Sequence, residues 1–237
     1  PVDPVGYILL EGGAEFGGQM DAPDSRALAL AGGIDAPVRI IPAAAAPDNN
    51  HEYAGRNGVA WFRSLGARNV SALRVIDPDS ANEERLAKEI EHARLIYLLG
   101  GFPRHLCETL EGSLVWRAIL VAFEKGAVLA GSSAGAMVLC EWYYDPSEGQ
   151  ALRGLDLLHG SCILPHFERF GQNWIPTLTD RLPGVLLIGI EEQTGMINDG
   201  PDGQWQVYGK GGVVLARSGH PRHRFIRGEP FELGNGN

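Results

Sequence analysis

Gly131-Ser132-Ser133-Ala134-Gly135 sets a serine between two glycines where the apolar run Val128–Ala130 gives way to a helical pattern. This G-x-S-x-G spacing is that of a nucleophile elbow, in which small flanking residues let the backbone turn sharply and lift one hydroxyl clear of a sheet. Ser133 is the candidate nucleophile, weighed against a tight strand-to-helix turn without chemistry. The turn would also aim the Ala134 N–H and the positive end of the next helix at an oxyanion on an attacked carbonyl. A serine hydroxyl attacks poorly until a base takes its proton, so a histidine must reach the same edge. Of the seven histidines, His166 is the one that follows an apolar run, Ser161–Leu164, at the point where a strand would end on a loop. Its imidazole needs an acceptor to hold the tautomer. Glu192, emerging after Val185–Ile190, leads for that role, and Asp145, twelve residues past Ser133, competes with it. Glu191 and Glu192 point to opposite faces if the strand continues, so only one can face the site.

Positioning these groups takes a sheet whose strands end together. Tyr7–Leu10, Val38–Ala43, Val70–Ile76, Leu95–Leu99 and Val128–Ala130 are apolar runs, each followed by enough chain for a crossover. That alternation predicts an α/β fold with a parallel sheet. The better helical patterns are Asn50–Leu65, Asp79–Ala93 and Ser113–Lys125, the second capped at Asp79 or Ser80 and the third closing before Gly126. Ligand crevices lie outside the carboxyl ends of such strands, which gathers Gly12-Gly13, Gly100-Gly101 and the elbow on one edge. Beyond the elbow, a looser helix is expected near Trp174–Arg181. Gln204–Tyr208 and Gly212–Leu215 flank Gly209-Lys210-Gly211 as a C-terminal hairpin, and Glu229–Asn237 should trail off.

At 237 residues the chain suits a single domain, 1–237, that buries its core without disulfides or metals. A net charge of −9 with no cluster of Lys and Arg excludes a nucleic-acid surface. Three cysteines without C-x-x-C spacing predict packed, reduced thiols and a reducing, cytoplasmic setting. No apolar run approaches 18 residues and no basic-plus-apolar leader is visible, so neither a membrane span nor secretion is expected; the start at Pro1 leaves a trimmed leader open.

With Leu98-Leu99-Gly100-Gly101, Gly131 to Ala136, Pro165-His166-Phe167 and Gly189-Ile190-Glu191-Glu192-Gln193-Thr194, the chain resembles the S51 serine peptidases over residues 6–194. These include aspartyl dipeptidase (peptidase E) and cyanophycinase. The resemblance implies a class I glutamine amidotransferase-like fold, a flavodoxin-like three-layer sandwich around a mainly parallel sheet. It implies Ser133 as nucleophile, His166 as base, and Gly101 and Ala134 as oxyanion donors, with no metal or cofactor. Glu192 matches the glutamate of cyanophycinase-like Gly-Ile-Asp-Glu segments, while Asp145 approximates the aspartate of dipeptidase E. Phe102-Pro103 and Leu164-Pro165 stand where cyanophycinase-like chains carry polar residues, which argues against cyanophycinase activity proper.

The implied substrate is a small peptide, foremost an Asp-X dipeptide, and a homodimer is left open. An acidic side chain beside the scissile bond calls for a cation, and an arginine fork suits a carboxylate. Arg169 and Arg181 are the candidates nearest His166, with Gly100 beside the substrate and Glu15 placed to hold its ammonium. The rival readings are an amidase or esterase with the same triad and a non-catalytic binding protein that keeps the fold. A glutamine amidotransferase is disfavoured because Ser133 stands where that chemistry needs a thiolate.

Overall fold

A computed structural model describes residues 6–234. The five apolar runs before the elbow form β1 (Ile8–Glu11), β2 (Val38–Ile41), β3 (Val70–Ala72), β4 (Leu95–Leu98) and β5 (Val128–Ser132). After it come β6 (Cys140–Asp145), β7 (Gln150–Arg153), β8 (Leu158–Leu164), β9 (Leu186–Ile190), β10 (Thr194–Ile197), β11 (Gln206–Gly209), β12 (Gly212–Ala216) and β13 (His223–Ile226). The helices are α1 (Asp21–Leu30), α2 (His51–Ser64), α3 (Glu84–Glu91), α4 (Pro103–Leu110), α5 (Leu114–Glu124), α6 (Ala134–Val138) and α7 (Ile175–Arg181). None of the described helices is long and apolar enough to cross a membrane.

Two sheets result. One has the order β11-β10-β1-β5-β4-β2-β3 and the other β13-β12-β9-β8-β6-β7. In the first, β1 to β5 are parallel and alternate their side chains between two helical layers. Leu9, Ile40, Tyr97 and Ala130 pack with Ala27 of α1 and Phe62 of α2. Leu10, Ile41, Leu98 and Leu129 face Leu86 of α3 and Ile119 of α5. Ile163, Ile188 and Val213 of the second sheet extend that latter cluster, while Cys162, Leu187 and Val214 turn to Leu178 of α7. Register places Glu11 opposite Ser132 and Leu98 opposite Gly131, so β1, β4 and β5 end together at the elbow.

Three sequence expectations change. The pattern at 79–93 breaks into a 3-10 turn, Ser80–Asn82, and α3. Ser80 Oγ accepts the Ile76 and Asp77 N–H groups at 2.9 and 3.1 Å, and Glu83 turns extended (ψ 118°). The C-terminal hairpin is β12–β13, with Val213 opposite Phe225, rather than the pair flanking Gly209-Lys210-Gly211. That link cannot close on itself because its N–H groups are bound elsewhere. Lys210 N–H donates to the Gln193 carbonyl (2.8 Å) and Gly211 N–H to Thr194 Oγ1 (2.9 Å), so β11 joins the first sheet and β12 the second. Within the expected trailing end, Phe231 is buried, bridges Trp205 and stacks on Phe225 with centroids 4.5 Å apart; residues 235–237 lie outside the described residues.

Candidate active site

β5 ends at Ser132, and Ser133 caps α6 with φ 48° and ψ −112°. A non-glycine residue in this region carries about 1–3 kcal/mol of strain, which the surroundings must overcome. Part of that support is the Ser133 N–H, which donates to the Glu11 carbonyl at 3.0 Å. The turn also needs bare backbone: a Cβ on Gly135 would stand 2.2 Å from the Leu98 carbonyl oxygen.

His166 leaves β8 with φ 47°, and its N–H is anchored on the Gly12 carbonyl at 2.7 Å. Its Nε2 lies 3.0 Å from Ser133 Oγ and its Nδ1 lies 2.7 Å from Glu192 Oε1. A carboxylate only accepts, so Nδ1 carries the ring proton and Nε2 is left to accept from the serine hydroxyl. Gln193, next to Glu192, also has positive φ (53°). Backbone strain therefore sits at Ser133, at His166 and at the residue next to Glu192.

The paired glutamates separate although β9 ends at Ile190 and Glu192 already lies in a turn. Glu191 turns away, accepting two hydrogen bonds from Arg224 (2.8 Å each) and one from Gly212 N–H (2.8 Å). The Arg224 guanidinium holds its carboxyl below the usual range. Glu192 turns inward, with Arg169 Nε 3.4 Å from the same oxygen that meets His166. Asp145 lies elsewhere: its Oδ1 accepts from Ser147 N–H (2.9 Å) and Ser147 Oγ (2.5 Å).

Ser133, His166, Gly101 and Glu15 line a cleft of about 380 Å³. A second hollow of about 250 Å³ shares Glu15, Gly100 and Gly101 with it and adds Asp48, Asn50 and Asn57. Glu15 Oε1 accepts the Gly100 N–H at 2.5 Å, which removes that group as an oxyanion donor. Burial pushes the Glu15 carboxyl up, against the Gly100 hydrogen bond that favours its charged form. Gly101 remains beside the nucleophile, and the Ala134 N–H, in the first turn of α6, has no intrahelical acceptor. α6 has only five residues, so this local N–H matters more than any helix dipole.

Neither arginine lines the cleft or the second hollow. Arg169 is exposed, with its Nε 3.4 Å from Glu192 Oε1, and Arg181 donates to the Gly149 carbonyl at 2.7 Å. Sequence reasoning also missed Glu168, whose carboxylate accepts the Glu192 N–H at 3.1 and 3.2 Å. Its position two residues past His166 was the available signal.

A hydroxyl on a strained strand-to-helix turn, an imidazole and a carboxylate in hydrogen-bond sequence are the parts of a serine-hydrolase site. The chain belongs to peptidase family S51, whose family model matches residues 8–203. It is 30% identical over 198 residues to a cyanophycinase of Synechococcus elongatus, covering 78% of this chain and 60% of that one. It therefore spans less than two thirds of that relative's length. A cyanophycinase of Geminocystis herdmanii is 29% identical over 223 residues, covering 88% and 79%. Among solved structures, a peptidase from an acI-B1 Actinobacterium superposes with a TM-score of 0.84 at 28% identity over 98% of both chains. A putative peptidase E from Listeria monocytogenes shares the fold, with a TM-score of 0.59 at 18% identity over 90% of this chain and 99% of that one.

Proposed function

We propose that this chain is a serine peptidase that hydrolyses small peptides through Ser133, His166 and Glu192. The observation that carries the reading is the unbroken relay from Ser133 Oγ to His166 Nε2 (3.0 Å) and from Nδ1 to Glu192 (2.7 Å). His166 takes the serine proton as Oγ attacks the scissile carbonyl, and the Gly101 and Ala134 N–H groups stabilise the oxyanion. His166 then protonates the leaving amine. Water repeats the cycle on the acyl-enzyme.

The hollow on the Gly100-Gly101 side takes the acyl half of the substrate. Its acids, Glu15 and Asp48, suit the free ammonium of a short peptide. An Asp-X dipeptide places its ammonium there, but its acidic side chain finds no Lys or Arg among the residues lining either hollow. Asp-X is therefore the family's implied substrate and the first to test. The experiment is a panel of Asp-, Glu-, Gly- and Arg-led dipeptides on wild type and Ser133→Ala, with fluorophosphonate labelling followed by peptide mapping. Turnover lost in Ser133→Ala, with the label on Ser133, is expected. A fully active Ser133→Ala enzyme would overturn the reading.

A further inference from the structure

Resting on that reading, the direction of the reaction fixes which wall of the cleft meets which half of the peptide. The proton that completes cleavage comes from His166 Nε2, so the leaving residue departs on the His166 side of Ser133. There the lining is Met137, Pro146, Pro165, Phe170 and Trp174, with Pro103 beside Gly101. Glu15 and His166 are its only ionisable members. The rings form a row: Phe170 lies 4.9 Å from the His166 ring, Trp174 lies 5.5 Å from Phe170, and Tyr144 lies 4.9 Å from Trp174. Tyr144 and Trp174 pack against the cluster that covers α7, so the row is backed by core. Phe170 is nonetheless 41% exposed, a large apolar surface left bare at the cleft. Pro103 and Pro165 belong to the two segments whose apolar residues set this chain apart from cyanophycinase-like sequences.

We propose that Phe170, Trp174 and Pro165 form the subsite for the residue on the leaving side of the scissile bond, and that it selects an aromatic or large aliphatic side chain there. A cavity of about 380 Å³ has room for one such residue. An acidic side chain would lose water against this wall without gaining a partner, since no Lys or Arg lines the cleft. An apolar one removes Phe170 from water and stacks on a row already in place.

The test is a dipeptide series with a fixed amino-terminal residue and Phe, Leu, Gly, Asp, Lys or Arg on the leaving side, read as kcat/KM. Phe and Leu should exceed Asp, Lys and Arg by about 10- to 100-fold, the span that hydrophobic pockets achieve. Phe170→Ala should flatten the ranking, and Phe170→Lys should raise Asp relative to Phe. Ratios within one variant cancel any loss common to all substrates. Arg at the top would mean that the rings serve a guanidinium and would overturn the proposal. Labelling of Ser133 by a small fluorophosphonate without an apolar preference, including no cleavage at all, overturns this subsite alone. Absence of labelling removes the reading beneath it.

Discussion

The carboxyl groups of Glu11 and Asp24 meet in the dry core behind Ser133. Both residues are wholly buried. Glu11 Oε2 accepts the Tyr97 hydroxyl, and Asp24 Oδ2 accepts the Trp61 indole N–H at 2.8 Å. The remaining oxygens, Glu11 Oε1 and Asp24 Oδ1, find no donor, so each carboxyl gains by keeping its proton. Burial pushes both carboxyls up, Asp24 to about 7, with Glu15 and Asp21 adding repulsion nearby.

A pH dependence follows. Asp24 keeps in the folded chain a proton that the unfolded chain releases in the ordinary carboxylate range, so this contribution is complete below about pH 4 and fades as pH rises toward 7. One proton of difference corresponds to about 1.4 kcal/mol per pH unit. Asn at position 24 can accept from Trp61 and donate to Glu11 without any proton to lose. Urea unfolding between pH 5 and 8 should show wild-type stability falling about 1–3 kcal/mol more than that of Asp24→Asn. Parallel curves would show that Asp24 holds no such proton.

Glu192→Gln and Asp145→Asn separate the two carboxylates considered for the third position. Gln can offer His166 Nδ1 an N–H and so favour the wrong tautomer; kcat should fall about 10⁴-fold, as in other triads. Asp145 serves only the turn at Ser147, so Asp145→Asn should stay within a few-fold of wild type. Steady-state turnover of the best peptide decides, and comparable losses in the two variants would refute the assignment.

The sheet around β1 to β5 was legible because its strands are mainly apolar, most fully in β4 and β5, which are buried throughout and run on into glycines, and burial on both faces favours that composition. Ser133, His166 and Glu192 were legible for a related reason: each lies within three residues of the end of such a run. The second sheet was legible only at β8, β9 and β12, which coincide with apolar runs. β6 and β7 mix aromatic and charged residues, as in Glu141-Trp142-Tyr143-Tyr144-Asp145, because one face is only partly covered. The split of β11 from β12 was hidden because it depends on where the N–H groups of Lys210 and Gly211 find acceptors, at Gln193 and Thr194 far back in the chain. The pairing of Arg169 with Glu192 was hidden likewise, since an exposed arginine reads the same whether it meets substrate or a neighbouring carboxylate.

Phe231 tests whether the last strand pair depends on the segment that follows it. Its ring is 4% exposed and lies nearly parallel to Phe225, at 12°, while its backbone exchanges hydrogen bonds with Trp205 at 2.8 and 3.0 Å. Phe231→Ala should cost about 3 kcal/mol, the low end for a buried aromatic, because its bridge to Trp205 lies outside the regular strands and can relax. Chemical denaturation measures it, and a loss within about 0.5 kcal/mol, ordinary for surface positions, would mean the segment does not support the hairpin.

Gly13 and Gly32 separate backbone strain from obstruction of the base. Both have strongly positive φ, 134° and 112°, so an alanine at either position is strained and should destabilise by about 1–3 kcal/mol. Their surroundings differ. A Cβ at Gly32 meets open space, whereas one at Gly13 would stand 2.2 Å from His166 Cε1 and 2.5 Å from its Nδ1. To make room, the imidazole must give up its alignment with Ser133 or with Glu192. Small misplacements of a catalytic group cost about 10²-fold, so Gly13→Ala should lower kcat by at least that factor and slow labelling of Ser133. Gly32→Ala should lose similar stability and keep its turnover. Equal activity in the two variants, at matched stability, would show that the contact between Gly13 and His166 does not set the position of the base.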